Sequence, residues 1–516
     1  MSWFKKDPSE REKWAAPLPL VRPSPQIGLP TLDAQSAHLY GQALPRNVAM
    51  ARPIADRPPV NRWMAPIDIM GHAWHPGQLV LGRFGDQALG HLDDRPMVTI
   101  AGARTGKTST ILEPNLYLYP GSMVVLDPKG ELARSTATAR VLQGHRVSIL
   151  DPFGQAGLSS NRFNLLAELN PDSDLVIDDV ATLTQAIIVD ETDSRSQHWN
   201  NSARALLQGL ILFTLTLPKA ERHLVTVRQL LTLTHPALQA AVQGAAPDPG
   251  ARKDEAYYLQ HRTALEALLL AMANAESCFD GILSAIGKRF VGTPATERGS
   301  IVSTAAAQTD FLDSLPLRAI SRQSDFRLDQ LAEGPPTTLY LCLPVRMMQT
   351  HYRWLRMIVQ QACTTLEKRG TYPRDRTPIL FLMEEFTTLG HMDIMERAAA
   401  YFPGFGVKLW AVLQDTTQLR RYYQNSWETF LGNAGVVQTF ANSDQTTLDY
   451  LSNRMEGLIR PFELRTAFSR DSFAQLLLFE GLSPMAALRL KHEHVEAIRQ
   501  RVMTRGGPVT YLPTPG

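Results

Sequence analysis

The chain of 516 residues contains only three cysteines, Cys278, Cys342 and Cys363, and no two of them lie at metal-ligand spacing. That excludes a disulfide framework and a cysteine-held zinc, and it fits a reducing compartment. Long hydrophobic runs are also missing. The most apolar stretch, ALLQGLILFTLTL at 205–217, falls short of the about 20 residues that span a bilayer and reads as a buried helix. The opening MSWFKKDPSEREKW has two lysines but no apolar run behind it, so no signal peptide is expected. Charge of one sign is not in excess: 52 Lys and Arg stand against 50 Asp and Glu. A net charge of +2 argues against a generally basic nucleic-acid coat and leaves room for a local basic surface. A soluble cytoplasmic protein of two or three domains is the expectation.

What is present falls into four stretches. Residues 1–65 are proline-rich and lack periodicity (APLPLVRPSPQIGLP, ARPIADRPPVNRW), which predicts an extended arm, a linker or a disordered tail. Over 66–165 short apolar runs end in turns: LVLGRFG, then PMVTIA, SMVVLD and RVSILD. Strand, helix and strand at this rhythm predict a parallel α/β sheet. Over 166–335 the strands disappear. Val176, Val180, Leu183 and Ile187 fall on one helical face, and HWNNSARALLQGLILFTL continues as an apolar helix. Strands return over 336–516 at TTLYLCL, PILFLME, KLWAVLQ and GVVQTFA. The fold class expected is therefore α/β: one domain with a parallel-type sheet, interrupted by an all-α insert.

The stretch AGARTGKT at 101–108 follows a predicted strand and precedes a predicted helix, the context a P-loop requires. Backbone N–H groups along Ala101, Gly102, Ala103, Arg104, Thr105, Gly106 and on to Ser109 would face phosphates at a helix N-terminus. Lys107 would reach the β- and γ-phosphates of ATP, and Thr108 would hold magnesium. The usual first glycine is Ala101 here, a mild departure if its φ stays negative. ILFLMEEF at 379–386 is an apolar strand ending in two carboxylates. Glu384 takes the magnesium role and Glu385 orients the attacking water. Aspartate is usual at the first position; glutamate is longer by about 1.5 Å, and magnesium tolerates little distortion around its 2.0–2.1 Å ligands. Gln414 ends a neighbouring strand, where an amide can sense the γ-phosphate or position water. Asp127 and Lys129, in DPKGE at another strand end, either line the site or form a structural Asp-Pro turn.

These residues sit in text that resembles the type IV secretion coupling proteins, the TraG/TraD-like conjugative DNA-transfer ATPases. The resemblance covers roughly residues 75–490. It is carried by PGSMVVLDPKGELARSTA, HWNNSARALLQGLILF, TLYLCLP, FLMEEFTTLGHMDIMERAAAYFPGFGVKLWAVLQDTTQL and LLLFEGLSPMAALRLKHEH. LDPKGEL with EEFTTLG is far more specific than the P-loop alone. The resemblance implies a RecA-like motor with an all-α insert, a homo-hexameric ring with ATP sites between subunits, and magnesium. It also implies relaxase-bound single-stranded DNA or protein effectors as cargo, delivered to a type IV secretion channel at the inner membrane. Three departures stand out. No transmembrane segment is expected, Glu384 replaces the family's aspartate, and Pro403 lies where the family often has an arginine. An arginine supplied across a subunit boundary is worth about 10³–10⁵ in rate; Arg397, Lys408, Arg420 and Arg421 are the substitutes the sequence offers.

QLRRYYQNSW at 418–427 joins Arg420 and Arg421 to Tyr422 and Tyr423. Arginine on phosphate with aromatic stacking is what single strands favour; helix surface with core aromatics is the plainer explanation. GKRFVGTPATERGS at 287–300 is read as a second basic loop. Two other functions remain open on the same fold: a low-hydrolysis recruitment adaptor, and a double-stranded DNA pump of the FtsK/HerA kind.

Overall fold

Short runs rich in Val, Ile and Leu, each bounded by turn residues, pair into one 11-stranded sheet. The computed structural model describes residues 62–189, 194–243, 264–373, 376–507 and 509. The proline-rich stretch lies outside them apart from 62–65. The strands are β1 Leu79–Phe84, β2 Gln87–His91, β3 Met97–Ala101, β4 Met123–Leu126, β5 Arg146–Leu150, β6 Thr337–Leu341, β7 Ile379–Met383, β8 Val407–Leu413, β9 Val436–Phe440, β10 Ala474–Phe479 and β11 Met485–Leu488. Their order across the sheet is β2-β1-β11-β10-β9-β3-β8-β7-β4-β6-β5.

From β9 to β5 every neighbouring pair is parallel. From β9 to β2 every pair is antiparallel. The parallel sheet expected from sequence is thus extended by an antiparallel wing that was not expected. A buried polar chain pins the two halves together. Trp410 Nε1 donates to Thr99 Oγ1 at 2.8 Å, Thr99 Oγ1 to Gln438 Oε1 at 2.9 Å, and Gln438 Nε2 to Gln475 Oε1 at 2.7 Å. Gln475 Nε2 then donates to the Leu81 carbonyl. Room for that last contact comes from Gly82, at a register shift in β1. A Cβ there would lie 2.2 Å from Gln475 Nε2, and its φ of +143 is open to glycine alone.

Both faces of the sheet are covered. On one, the P-loop helix and helix α2 (Glu131–Leu142) pack Leu112, Leu116 and Ala133 against Met97, Val125 and Trp410. The P-loop helix begins as a π-type turn over Thr108–Leu112 and continues as α1, Glu113–Leu118. On the other face lies the sequence between β5 and β6, whose described residues form helices and no strand. In α3 (Val176–Ile187) the expected stripe of Val176, Val180, Leu183 and Ile187 is buried. The apolar run at 205–217 is the C-terminal half of α4, Ser194–Thr216. Its Leu206, Leu207, Leu210 and Ile211 are buried, each contributing about 1.5–3 kcal/mol by leaving water. One cluster of buried side chains joins Leu183, Leu207 and Phe290 to Val98, Leu126 and Leu341 of the sheet. The long helix α5 (Val345–Arg369) lies against α3 at this junction. No helix among the described residues is long and apolar enough to cross a membrane.

Candidate nucleotide site

The carboxyl ends of β3, β4, β7 and β8 open on a cleft of about 990 Å³, lined by residues 103–109, Lys129, Glu384, Glu385 and Gln414 among others. Cofactor pockets are of this size, at this place in open α/β sheets. Ala101, Gly102 and Asp127, assigned to the nucleotide from sequence, are not among the lining residues.

Ala101 is the last residue of β3, buried, with its methyl in the core. It is absent from the positive-φ residues, which in this loop are Arg104 (φ 55) and Gly106 (φ 86). The replaced glycine therefore carried no conformational demand here. Gly102 does carry a steric one: a Cβ would lie 2.7 Å from the Ala441 carbonyl oxygen. The left-handed Arg104 is the kind of backbone strain that gathers at ligand clamps. Lys107 Nζ donates to the carbonyls of Ala101 (2.6 Å) and Gly102 (3.2 Å), bracing the loop from within. Burial lowers the ammonium's pKa, and the charges of Glu385 and Glu384 oppose that shift.

The Thr108 hydroxyl donates to Glu384 Oε1 at 3.0 Å, so the longer glutamate does reach the P-loop hydroxyl. Glu384 is 2% exposed, and burial, helped by the charge of Asp127, pushes its pKa up to about 7. Its Oε2 has no partner. Asp127 Oδ2 accepts from Ala133 N at 2.8 Å in the first turn of α2, while Oδ1 has none. Burial moves that carboxyl to about 6. Both readings of DPKGE thus meet: Asp127 holds a helix start, its charge bears on Glu384, and Lys129 lines the cleft. Unpartnered buried carboxylate oxygens are costly, and a divalent cation beside Thr108 and Glu384 would relieve the cost. Among the described residues no group of three or more His, Cys, Asp or Glu could hold a metal alone; a P-loop magnesium needs only a hydroxyl, one acid and the phosphates. The residues present fit that ion.

Glu385 has a left-handed backbone, φ 55. Gln414 Nε2 donates to its Oε1 and Oε2, each at 3.0 Å. The acid and amide assigned to water and γ-phosphate are therefore one hydrogen-bonded pair.

Sequence reasoning gave no role to Arg489, which follows β11. It is buried between the rings of Phe440 and Phe473. Its Nη1 donates to Thr105 O at 2.6 Å and its Nη2 to Arg470 O at 2.9 Å. It props the P-loop from the antiparallel wing and brings Arg470 to the cleft. The apolar run AQLLLF was the available signal for that wing.

The basic-aromatic stretch divides. Arg420 and Arg421 are exposed on helix α6 (Thr416–Tyr423), stacked over Trp427 (4.1 Å) and Tyr422 (5.7 Å). Tyr422 is exposed. Tyr423 is 2% exposed, stacked on Phe386 and edge-on to Phe430, so as a base-stacking residue it is corrected to a core one. Among the cations offered in place of an arginine at Pro403, Lys408 is also corrected. It is 4% exposed and its ammonium donates to the Asp93 carbonyl, near the opposite end of β8 from Gln414. Arg397, Arg420 and Arg421 remain at the surface. The segment 287–300 is the junction of two helices, Ile282–Gly292 and Ala295–Gln308, rather than a loop.

Comparison with known proteins identifies the family. Residues 58–457 match the family described as Type IV secretory system Conjugative DNA transfer. The conjugal transfer protein TraG of Escherichia coli is 26% identical over 375 residues, 70% of this chain and 55% of that protein. Protein VirD4 of Rhizobium radiobacter is 26% identical over 421 residues, 80% of this chain and 55% of that protein. The chain thus spans about half the length of the curated relatives it matches. Among solved structures, the bacterial conjugative coupling protein TrwB lacking its N-terminal segment, in complex with sulphate, superposes with TM-score 0.62 at 14% identity, covering 85% of this chain and 95% of that one. The plasmid coupling protein TrwB in complex with ADP and Mg2+ gives 0.60 at 15%, covering 83% and 92%. At that identity the likeness establishes the fold.

Proposed function

The chain belongs to the conjugative DNA-transfer family of type IV secretory systems, and on that premise we propose that it is an ATP-dependent coupling protein. It recruits relaxase-bound single-stranded DNA, or a protein effector, and drives it toward a secretion channel at the inner membrane. The observation that carries this reading is the hydrogen bond between Thr108 and Glu384, with Glu385 and Gln414 paired beside it at the strand ends. The solved relative bound to ADP and Mg2+ supports nucleotide and magnesium as the ligands. Magnesium would be held by Thr108 and Glu384, and it supplies charge neutralisation to the phosphates. The chain's own groups do the rest. Backbone N–H groups of 102–106 and the helix N-terminus cradle phosphate oxygens. Lys107 leaves its two carbonyls for the β- and γ-phosphates. Glu385 takes a proton from the attacking water, and Gln414 registers the γ-phosphate through the same carboxylate.

Residues 66–165 and 336–516 are assigned to the motor and 166–335 to a helical insert that receives cargo. Subunits assemble as a hexamer, at least transiently. Arg420, Arg421 and Tyr422 are assigned to single-stranded DNA. Turnover of ATP by the purified chain should rise on adding single-stranded oligonucleotide. A response to double-stranded DNA alone would point to the pump instead. The adaptor reading is favoured by Pro403 and by Glu384 in the aspartate's place; DNA-stimulated turnover at motor rates, about 1 s⁻¹ or more, would remove it.

A further inference from the structure

Arg356 takes no part in the cleft, yet this buried cation bridges the turn beside the cleft and a helix of the insert. It lies in α5 and is 4% exposed. Its Nε donates to Ala186 O at 3.1 Å, and its Nη1 to Leu389 O and His391 O, both at 2.6 Å. Ala186 is in the last turn of α3. Leu389 closes the 3-10 turn Phe386–Leu389, which starts directly after Glu385. Both carbonyls stand at helix C-termini, where oxygens lack intrahelical donors and the helix end is negative. Two helix ends thus converge on one guanidinium. A planar fork spreads its donors to reach both ends at once; a lysine ammonium gathers its donors on one nitrogen.

The far side of the same turn is held as well. Tyr423 stacks on Phe386 and its hydroxyl donates to Gly390 O at 3.4 Å. Tyr423 ends α6, which begins two residues after Gln414. The pair of Glu385 and Gln414 therefore closes a loop of contacts whose base is Arg356. On the insert side, Lys368 of α5 pairs with Asp179 of α3, so α3 is tied to α5 near both of its ends.

We propose that Arg356 is a positioning residue: it fixes the turn that carries Glu385 and ties that turn to the end of α3, so that a shift of Glu385 on nucleotide binding is passed to the helical insert. The proposal rests on the reading of the cleft as an ATPase site. Misplacement of a water-orienting group by about 1 Å costs on the order of 100-fold in rate, so the loss should fall on kcat rather than on nucleotide affinity.

The test uses the full chain, its Arg356→Lys variant, a fluorescent ATP analogue for binding, ATP turnover, and hydrogen exchange of α3 with and without a non-hydrolysable ATP analogue plus magnesium. In wild type, exchange at the C-terminal end of α3 changes on adding nucleotide. In Arg356→Lys, Kd for the analogue stays within about twofold, kcat falls about 10- to 100-fold, and the exchange response of α3 is lost. Unchanged kcat with an intact exchange response in the variant overturns the proposal, as does a rise of Kd in parallel with the fall of kcat that follows lost thermal stability. If Arg356→Lys does not fold, wild type alone decides: an α3 indifferent to bound nucleotide overturns the inference. Wild type that hydrolyses ATP while α3 is indifferent leaves the functional reading standing; wild type that neither binds nor hydrolyses ATP removes both.

Discussion

Replacing Glu384 with glutamine should make the protein without nucleotide more stable at neutral and alkaline pH. The side chain is buried beside Asp127, and one of its oxygens has no partner. Its carboxyl is raised from 4.5 to about 7, and at about 1.36 kcal/mol per unit this corresponds to about 3 kcal/mol. The sign follows from proton binding. Below about pH 4.5 the group is protonated in both folded and unfolded chains. Between that value and about 7 the folded chain holds the extra proton, so wild-type stability falls as pH rises. Above about 7 the full cost is present. Glutamine is neutral throughout and keeps an oxygen for the Thr108 hydroxyl. Urea unfolding of wild type and Glu384→Gln at pH 5, 6, 7 and 8, without magnesium or nucleotide, should show a gap that is small at pH 5 and reaches about 3 kcal/mol in the variant's favour by pH 8. A gap independent of pH, or a wild type more stable at pH 8, would refute the claim that burial strain is stored on this carboxylate. The same substitution should abolish the magnesium dependence of nucleotide binding, since function and stability oppose each other at such a site.

Glu385→Gln should keep ATP affinity and lose turnover by about 10²-fold or more, measured by phosphate release and analogue binding side by side. Arg420→Ala combined with Arg421→Ala should weaken single-stranded DNA binding and lower the slope of log affinity against log salt by about 1.4, at about 0.7 per phosphate contact; Tyr423→Phe should leave that slope alone. Gly102→Ala should cost about 1–3 kcal/mol in thermal unfolding, because its methyl meets the Ala441 carbonyl, and should weaken ATP binding. Ala101→Gly, which restores the usual glycine, should gain no affinity.

The sequence was most legible where one local rule decided the outcome. The parallel strands β3 to β9 announced themselves as apolar runs, four of them (β4, β5, β7 and β8) ended by Asp, Glu or Gln, because a strand buried on both faces has no polar alternation to confuse it. The stripe from Val176 to Ile187 marked α3 for the same kind of reason. The P-loop, the acid pair and Gln414 could be placed because each is fixed to the end of its own strand. What was hidden depends on partners distant in the chain. The wing of β10, β11, β1 and β2 pairs strands more than 400 residues apart, as Arg83 opposite Leu488 shows. Arg489 and Arg356 look like ordinary surface arginines until the fold surrounds them with carbonyls. Tyr423 and Lys408 failed as predicted surface groups because neighbouring residue types do not reveal which face of a helix or which end of a strand is buried.

The cleft over 101–109 is proposed to hydrolyse ATP with Lys107 on the phosphates. Phosphate release by the purified chain with saturating ATP, magnesium and single-stranded DNA, compared with Lys107→Ala under the same conditions, tests it most directly. Turnover in the wild type and a loss of about 10²-fold or more in the variant are expected. Equal turnover in the two proteins would contradict that proposal.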